Sequence, residues 1–401
     1  MRIGLFTDIY LPSVYGIELA TEGVRVTLEE MGHKVFVFAP ETPGYVDASR
    51  RVLRFRSQRI SKNPESRFAF SFLPIGRSNR EVLDFRLDIA QAQTMGAMGM
   101  LARRIAQHQG IPLLYAHHSM YPGYVGSESG DDLLVPSLVR TYTKWFAGKA
   151  DAILAPTLKV KRLLAEWGMG CDIPVHVVPT GVDTAVFHRS APARHRLRRS
   201  LGIPEGSAVL LTVARLVREK NLDFLLDAFH RIVRAAPGSR LLLVGEGNYR
   251  EQLERRARKL GVASRTIFAG LVPHERVAAY YQAADLFVFP SVVESQGLVI
   301  LEALASGLPV VAVKDEAYER FVLDGRNGFL VQPLTPARFA ACALPLVRSP
   351  ALRTRASRWA TRVSREYTPE KTAGMLVDIY RATIRELHAR KPRRRVEGGE
   401  R

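Results

Sequence analysis

The sequence predicts an α/β protein built from two doubly wound parallel-sheet domains facing across a cleft. Three observations carry that prediction. Short apolar runs alternate with helical patterns along the chain, the strand–helix–strand order of a parallel sheet. The alternation breaks near VVPTGVDTAVF (Val177–Phe187), where proline and glycine punctuate, and then restarts. The length, 401 residues, suits two or three domains, and a composition of 47% hydrophobic and 24% charged residues supplies full-sized cores.

The elements follow in order. Residues 3–7 read as a first buried strand and not as a leader, because an acidic residue and a proline arrive early in MRIGLFTDIYLP. A loop with Pro12 and Gly16 comes next, then a helical pattern through Met31 and a strand over Lys34–Ala39. Residues 50–86 read as irregular, with an exposed loop or an amphipathic helix. A helix over Met98–Gln107 is followed by strands near Ile111–Tyr115, Ala152–Ala155 and Val175–Val178. The second array holds strands at Val209–Val213, Arg240–Val244, Thr266–Phe268, Leu286–Phe289 and Pro309–Ala312. Helices over Asn221–Ala235, Tyr249–Leu260 and Glu275–Ala284 separate the first four of them. The expected division is a first domain over 1–178, a second over 179–368, a final helix of about 369–390 that packs back on the first, and a basic tail over 391–401.

Charge narrows the partners. Lys plus Arg is 58 and Asp plus Glu 39, a formal net charge of +19 that attracts nucleic acid, anionic membrane or anionic substrates. Between Arg50 and Arg86 ten basic residues stand against three acidic ones, with Phe55, Phe68, Phe70, Phe72 and Phe85 interleaved. Arg50, Arg51, Arg54, Arg56 and Arg59 begin this cluster, which reads either as a solvated basic surface or as a patch for an anionic membrane. No nucleic-acid module accompanies the charge. No apolar run reaches the length of a membrane span. The two cysteines, Cys171 and Cys342, lack a partner motif, which fits a reduced setting and argues against a zinc site.

Three segments of the second half bear chemistry. In VARLVREKN, Arg215 and Lys220 lie just beyond a strand, where open α/β sheets take ligands; two cations there would hold a diphosphate and stabilise it as a leaving group. The plainer alternative pairs them with Glu219 and Asp223. In LLLVGEGNYREQ, Gly245 and Gly247 mark a turn that either approaches a ligand or serves the fold. In SVVESQGLVILEALASG, Glu294 sits in a loop, Gly297 and Leu298 open a helix whose free amides suit phosphate, and Glu302 falls in the second turn. A carboxylate only accepts, so each glutamate suits sugar hydroxyls.

At these residues the chain resembles a known family. Glu294 and Glu302 match the E-x7-E signature of retaining nucleotide-sugar glycosyltransferases with the GT-B architecture, two Rossmann-like domains across a cleft. Arg215 and Lys220 match that family's diphosphate pair, PTGVD (Pro179–Asp183) its usual entry to the second domain, and ADLFVFPS the strand before the signature. The likeness spans nearly the whole chain. FTDIYLPSVYG, HHSMYPGYV (His117–Val125) and ESQGLV, with Gln296 where the family commonly has phenylalanine, are similar to stretches of bacterial diacylglycerol glycosyltransferases.

The resemblance implies transfer of a hexose from a UDP-sugar, UDP-glucose or UDP-galactose, to diacylglycerol or a glycosyl-diacylglycerol, with retention. It assigns Glu294 to the donor sugar, Glu302 to the ribose, and Leu271 and Val272 to the neighbourhood of the base. Gly16 admits the diphosphate, and Gln296, Gly297 and Leu298 complete the donor site. Where relatives carry a histidine pair this chain reads AQAQT, leaving Gln93 for the donor sugar and His118 as the candidate histidine at the reaction centre, unless it is structural. The glycine-rich MGAMGM stands where an aromatic is usual. No two aspartates are separated by one residue, so neither a metal nor another cofactor is expected, the UDP-sugar being a substrate. The implied setting is peripheral, on the cytoplasmic face of the cell membrane. Rival readings are a related transferase acting on phosphatidylinositol, a polyprenyl glycan or a soluble sugar, a nucleotide-sugar epimerase, and a catalytically silent membrane or nucleic-acid binder.

Overall fold

The computed structural model describes residues 1–12, 16–59, 69–71, 82–83, 85–118 and 134–390. The expectations placed on Ser119–Val125, on most of the basic segment between 60 and 84, and on the tail Lys391–Arg395 lie outside the described residues.

In the first domain β1 (Arg2–Phe6) buries its last four residues, as a strand covered on both faces must. Helix α1 (Gly16–Glu30) returns the chain to β2 (Lys34–Pro40), which pairs parallel to β1 with Leu5 opposite Val37. β3 (Val52–Phe55) adds to β2, and β4 (Ser57–Arg59) and β5 (Ala69–Ser71) form a separate antiparallel pair. β6 (Ile89–Ala92) takes the other side of β1, with Gln91 opposite Leu5. Then follow α2 (Ala97–Gln109), β7 (Leu113–Ala116), α3 (Leu134–Ala147), β8 (Ala152–Ala155), α4 (Leu158–Glu166) and β9 (Val175–Val177). The order is β3-β2-β1-β6-β7-β8-β9, all pairs parallel among the described residues.

The described part of the segment from 50 to 86 holds a strand of the main sheet, a small antiparallel pair and a helical turn at Val82–Leu83, and the loop or amphipathic helix expected there falls largely outside the described residues. Phe55 and Phe85 turn inward: both rings pack on Phe38 of β2, in the core of the sheet.

The second domain opens with α5 (Ala191–Ser200), which precedes β10 (Val209–Val213), α6 (Leu222–Ala235), β11 (Arg240–Val244), α7 (Arg250–Lys259) and β12 (Thr266–Gly270). The chain then crosses to α8 (His274–Ala283), β13 (Leu286–Phe289), α9 (Leu298–Ala305), β14 (Val310–Val313) and β15 (Gly328–Val331), and α10 (Pro336–Arg348) and α11 (Pro350–Ser364) cover the sheet. The order β12-β11-β10-β13-β14-β15 reverses direction between β10 and β13, as the first sheet does between β1 and β6. Each reversal opens a crevice at the carboxyl ends of two strands, the place where such sheets bind ligands.

Helix α12 (Pro369–Arg390) crosses back. Its Ala373, Leu376, Val377 and Tyr380 are buried with Ile3, Leu5, Leu28 and Val37 in the core of the first domain. The chain thus passes between domains twice. The two passages touch: Val182 N donates to Tyr367 O at 2.8 Å, and Thr372 Oγ1 to Pro179 O at 3.0 Å.

Candidate active site

The crevice of the second domain gathers the cations and carboxylates singled out above. The chain leaves β10 into residues 214–221, and that loop is zipped to the one after β11: Ala214 N donates to Val244 O, Leu216 N to Glu246 O, and Tyr249 N to Leu216 O. The glycines of the β11 turn serve this zipper. A Cβ on Gly245 would lie 1.9 Å from Ala214 O, and one on Gly247 2.3 Å from Leu216 O. The turn therefore needs glycine to seat the loop that carries Arg215.

On that loop Lys220 Nζ donates to Glu294 Oε1 at 2.6 Å, and both side chains are nearly enclosed, at 11% and 12% exposure. Arg215 keeps 35% exposure and meets Glu219 at 3.4 Å. Of the plainer pairing, Arg215 with Glu219 is found. Asp223 instead accepts from Tyr249 at 2.6 Å. Asn221, at φ 54°, ends the loop and donates to Pro290 O, tying it to the carboxyl end of β13.

The signature loop follows β13. Gly297 stands at φ 75°, a left-handed turn that side chains resist, and α9 begins at the next residue with no side-chain cap among the described residues. One turn on, Glu302 accepts from Tyr281 Oη at 2.6 Å. Burial pushes its carboxyl up to about 7, and the tyrosine bond opposes that rise. Leu298 opens α9. Leu271 is 62% exposed after β12, beside Val272, which packs on the core. Gln296 is buried, with Oε1 accepting from Thr180 N and Nε2 donating to Thr180 O, both at 2.8 Å, so both ends of its amide are engaged by the segment between the domains.

The first domain presents Gln93 and His118 at the carboxyl ends of β6 and β7. His118 Nε2 lies 2.6 Å from Gln93 Oε1, which makes the imidazole the donor and turns the Gln93 amino group elsewhere. Burial pushes His118 down to about 4, so the ring is neutral near pH 7. A pocket below the pair is lined by Ala116, Leu154, Thr372 and Leu376 and bounded by Pro179 and Thr180. Gly16 opens α1 and is exposed; a Cβ there would meet nothing within 4 Å. Asp8, after β1, closes the start of α2 instead of leaving it to an anion: it accepts from Gly96 N and Met98 N, both at 2.9 Å. This explains part of the MGAMGM stretch, because a Cβ on Gly96 would strike that carboxylate.

Two residues that the sequence reading missed cross the cleft. Thr157 Oγ1 donates to Ser295 O at 2.8 Å, and Lys159 Nζ donates to Glu294 O at 3.1 Å and to Asp315 Oδ2 at 2.6 Å. Their signal was faint, a threonine two residues beyond a strand with an N-cap bond to Val160 N.

The basic patch is only partly at the surface. Arg50 and Arg56 are exposed, and Arg51 pairs with Glu29 at 2.8 Å. Arg54 points inward: it binds Asp47 at 2.6 Å and the carbonyls of Pro40 and Leu11, and its guanidinium lies 5.4 Å from the Tyr10 ring centre. An arginine with those partners braces the loop before α1, so it leaves the patch. The side chain of Arg59 lies outside the described residues. Another face carries the same chemistry: Leu138 at 67%, Tyr142 at 42% and Trp145 at 45% exposure stand out from α3 beside the exposed Arg140, Lys144 and Lys149.

Comparison with known proteins gives a consistent picture. Residues 193–363 match the family described as "Glycosyl transferases group 1", and residues 15–186 match "Glycosyltransferase Family 4". The "Alpha-monoglucosyldiacylglycerol synthase" of Streptococcus pneumoniae is 31% identical over 339 residues, covering 82% of this chain and 75% of that protein. The protein of the same name from Acholeplasma laidlawii is 28% identical, covering 82% and 84%. Among solved structures, Anabaena HepE in complex with UDP and glucose superposes with a TM-score of 0.75 at 19% identity, covering 95% and 100%. The likeness to diacylglycerol glycosyltransferases read from ESQGLV and its companion stretches is met by the first two relatives, and the GT-B fold by the third.

Proposed function

The chain belongs to the group 1 glycosyltransferases with a family 4 first domain, and on that premise we propose that it moves a hexose from a UDP-sugar to diacylglycerol or a glycosyl-diacylglycerol, with retention at the anomeric carbon. The observation that carries the reading is the crevice cluster, Arg215, Lys220 and Glu294 at the reversal point of the second sheet. In this reading Arg215 and Lys220 neutralise the donor's diphosphate together with the uncapped start of α9, so the leaving group needs no metal. Glu294 takes the hexose hydroxyls and Glu302 the ribose hydroxyls. The acceptor hydroxyl attacks the anomeric carbon on the face the diphosphate leaves. The bond to the phosphate oxygen breaks, and the acceptor's proton passes to that oxygen. No protein base is required, which agrees with a His118 whose basicity is lowered by burial and whose Nε2 is already hydrogen-bonded to Gln93.

The lipid acceptor draws its support from the two diacylglycerol-acting relatives and from the outward face of α3, whose apolar and basic residues suit the surface of an anionic bilayer. Among the described residues no helix is long and apolar enough to cross a membrane, so the proposed association is peripheral. The deciding experiment is incubation with labelled UDP-glucose and UDP-galactose, with and without diacylglycerol vesicles and EDTA. A labelled glycolipid formed in EDTA, with an α-linkage, is expected. Label on phosphatidylinositol or on a soluble sugar alone would move the acceptor, and loss of activity in EDTA would overturn the metal-free diphosphate site.

A further inference from the structure

Glu294 is held from both sides of the cleft. Lys220 of the second domain takes its carboxylate at 2.6 Å, while Lys159, in the first turn of α4, takes its carbonyl at 3.1 Å and Asp315 at 2.6 Å. The next two residues are tied likewise: Ser295 O by Thr157, and both ends of the Gln296 amide by Thr180. Three consecutive residues of the signature loop therefore each take at least one polar partner from the first domain or from the segment that leaves it. We propose that Lys159 is a positioning residue for donor-sugar recognition, supplied to the site by the opposite domain.

The physical reason is geometric. An ammonium on the carbonyl of Glu294 fixes the peptide plane after it, and with it the direction of the Glu294 side chain. The tether exists only while the cleft is closed, so closure and the aim of Glu294 become one event. The Lys159–Asp315 pair is largely enclosed, at 20% and 9% exposure, and is a firmer anchor than the exposed Arg162–Glu316 pair beside it. A lysine serving only to pin the domains would need Asp315 alone; the second bond reaches the main chain of the residue that the proposed function assigns to the hexose. The inference rests on that assignment.

Three variants separate the roles: Lys159→Met removes both bonds, Asp315→Asn removes the ion pair and keeps the ammonium on the carbonyl, and Lys159→Arg keeps the charge. Hydrogen exchange of residues 291–298, read by mass spectrometry on the unliganded protein, tests the tether without any substrate. Faster exchange in Lys159→Met than in Asp315→Asn is expected, and equal exchange in Lys159→Met and wild type overturns the inference. The affinities of UDP and UDP-glucose are then compared in the same proteins. Lys159→Met is expected to leave UDP binding within about twofold and to lower kcat with UDP-glucose about tenfold or more, the scale on which a misplaced group is felt. Partial return of kcat is expected in Lys159→Arg. Equal losses in Lys159→Met and Asp315→Asn would reduce Lys159 to an interdomain strut and overturn the positioning role. A wild-type protein that binds no UDP-sugar, with the exchange difference intact, would overturn the donor reading and leave the tether standing.

Discussion

Lys220 and Glu294 are each other's neutralising partner in a nearly enclosed site, so neither is tolerated alone. Breaking this pair by removing one partner costs about 3 kcal/mol or more. Lys220→Met and Glu294→Gln should each lower the melting temperature, and the double variant should be more stable than either; additive losses would show that the pair is not coupled. Each single change should also remove nearly all transfer from UDP-sugar, and retained turnover would sink the assigned roles. Glu302 gives a pH test. Its folded carboxyl is raised from 4.5 to about 7, so this group's contribution to stability is fully present below 4.5 and lost as pH rises through about 7. The ribose needs the charged form as acceptor, so donor KM should fall between pH 6 and 8. Tyr281→Phe removes the bond that opposes the rise and should move that midpoint upward; a KM flat with pH in both proteins would remove Glu302 from the ribose. At this scale the sequence singled out Lys220 and Glu294, two residues of restricted chemical type that the structure brings into contact. It did not foretell the Thr180 partner of Gln296, because an amide serves a ligand or a backbone equally well, and it was silent on Lys159, because a partner 135 residues away leaves no local pattern.

The loops around the crevice depend on their neighbours as much as on their own residues. Gly247→Ala puts a Cβ against Leu216 O and must displace the loop that carries Arg215. It should therefore lower donor affinity, although Gly247 is assigned no part in the chemistry; unchanged UDP affinity and unchanged stability would refute the zipper. Elements with a strong apolar period were readable, β10, β11 and β13 to the residue. Others had no such period. α5 buries only Arg198, whose guanidinium bonds Asp285 and the carbonyls of Ala283 and Ser207, so its sequence reads as a basic cluster and not as a helix. β3 is short and lies at a sheet edge, and its register is set by β2.

For the molecule as a whole, the charge excess predicted an anionic partner but not where it would dock, because a count carries no direction. Arg54 is spent internally, while the outward face of α3 exposes Leu138, Tyr142 and Trp145, and the proposed docking is tested there. Leu138→Glu with Trp145→Glu should abolish binding to anionic vesicles, measured by co-sedimentation, while leaving UDP affinity as in wild type. Binding that survives both changes, or that ignores salt, would refute this docking face. The return of α12 to the first domain bears on how the protein is made. Its Leu376 and Tyr380 complete a core begun by Ile3 and Leu5, so the domain translated first stays open on one face until the second has been synthesised. A nascent chain halted at residue 368 would present that bare apolar face to chaperones, and the two halves of the enzyme mature together although each has a sheet of its own.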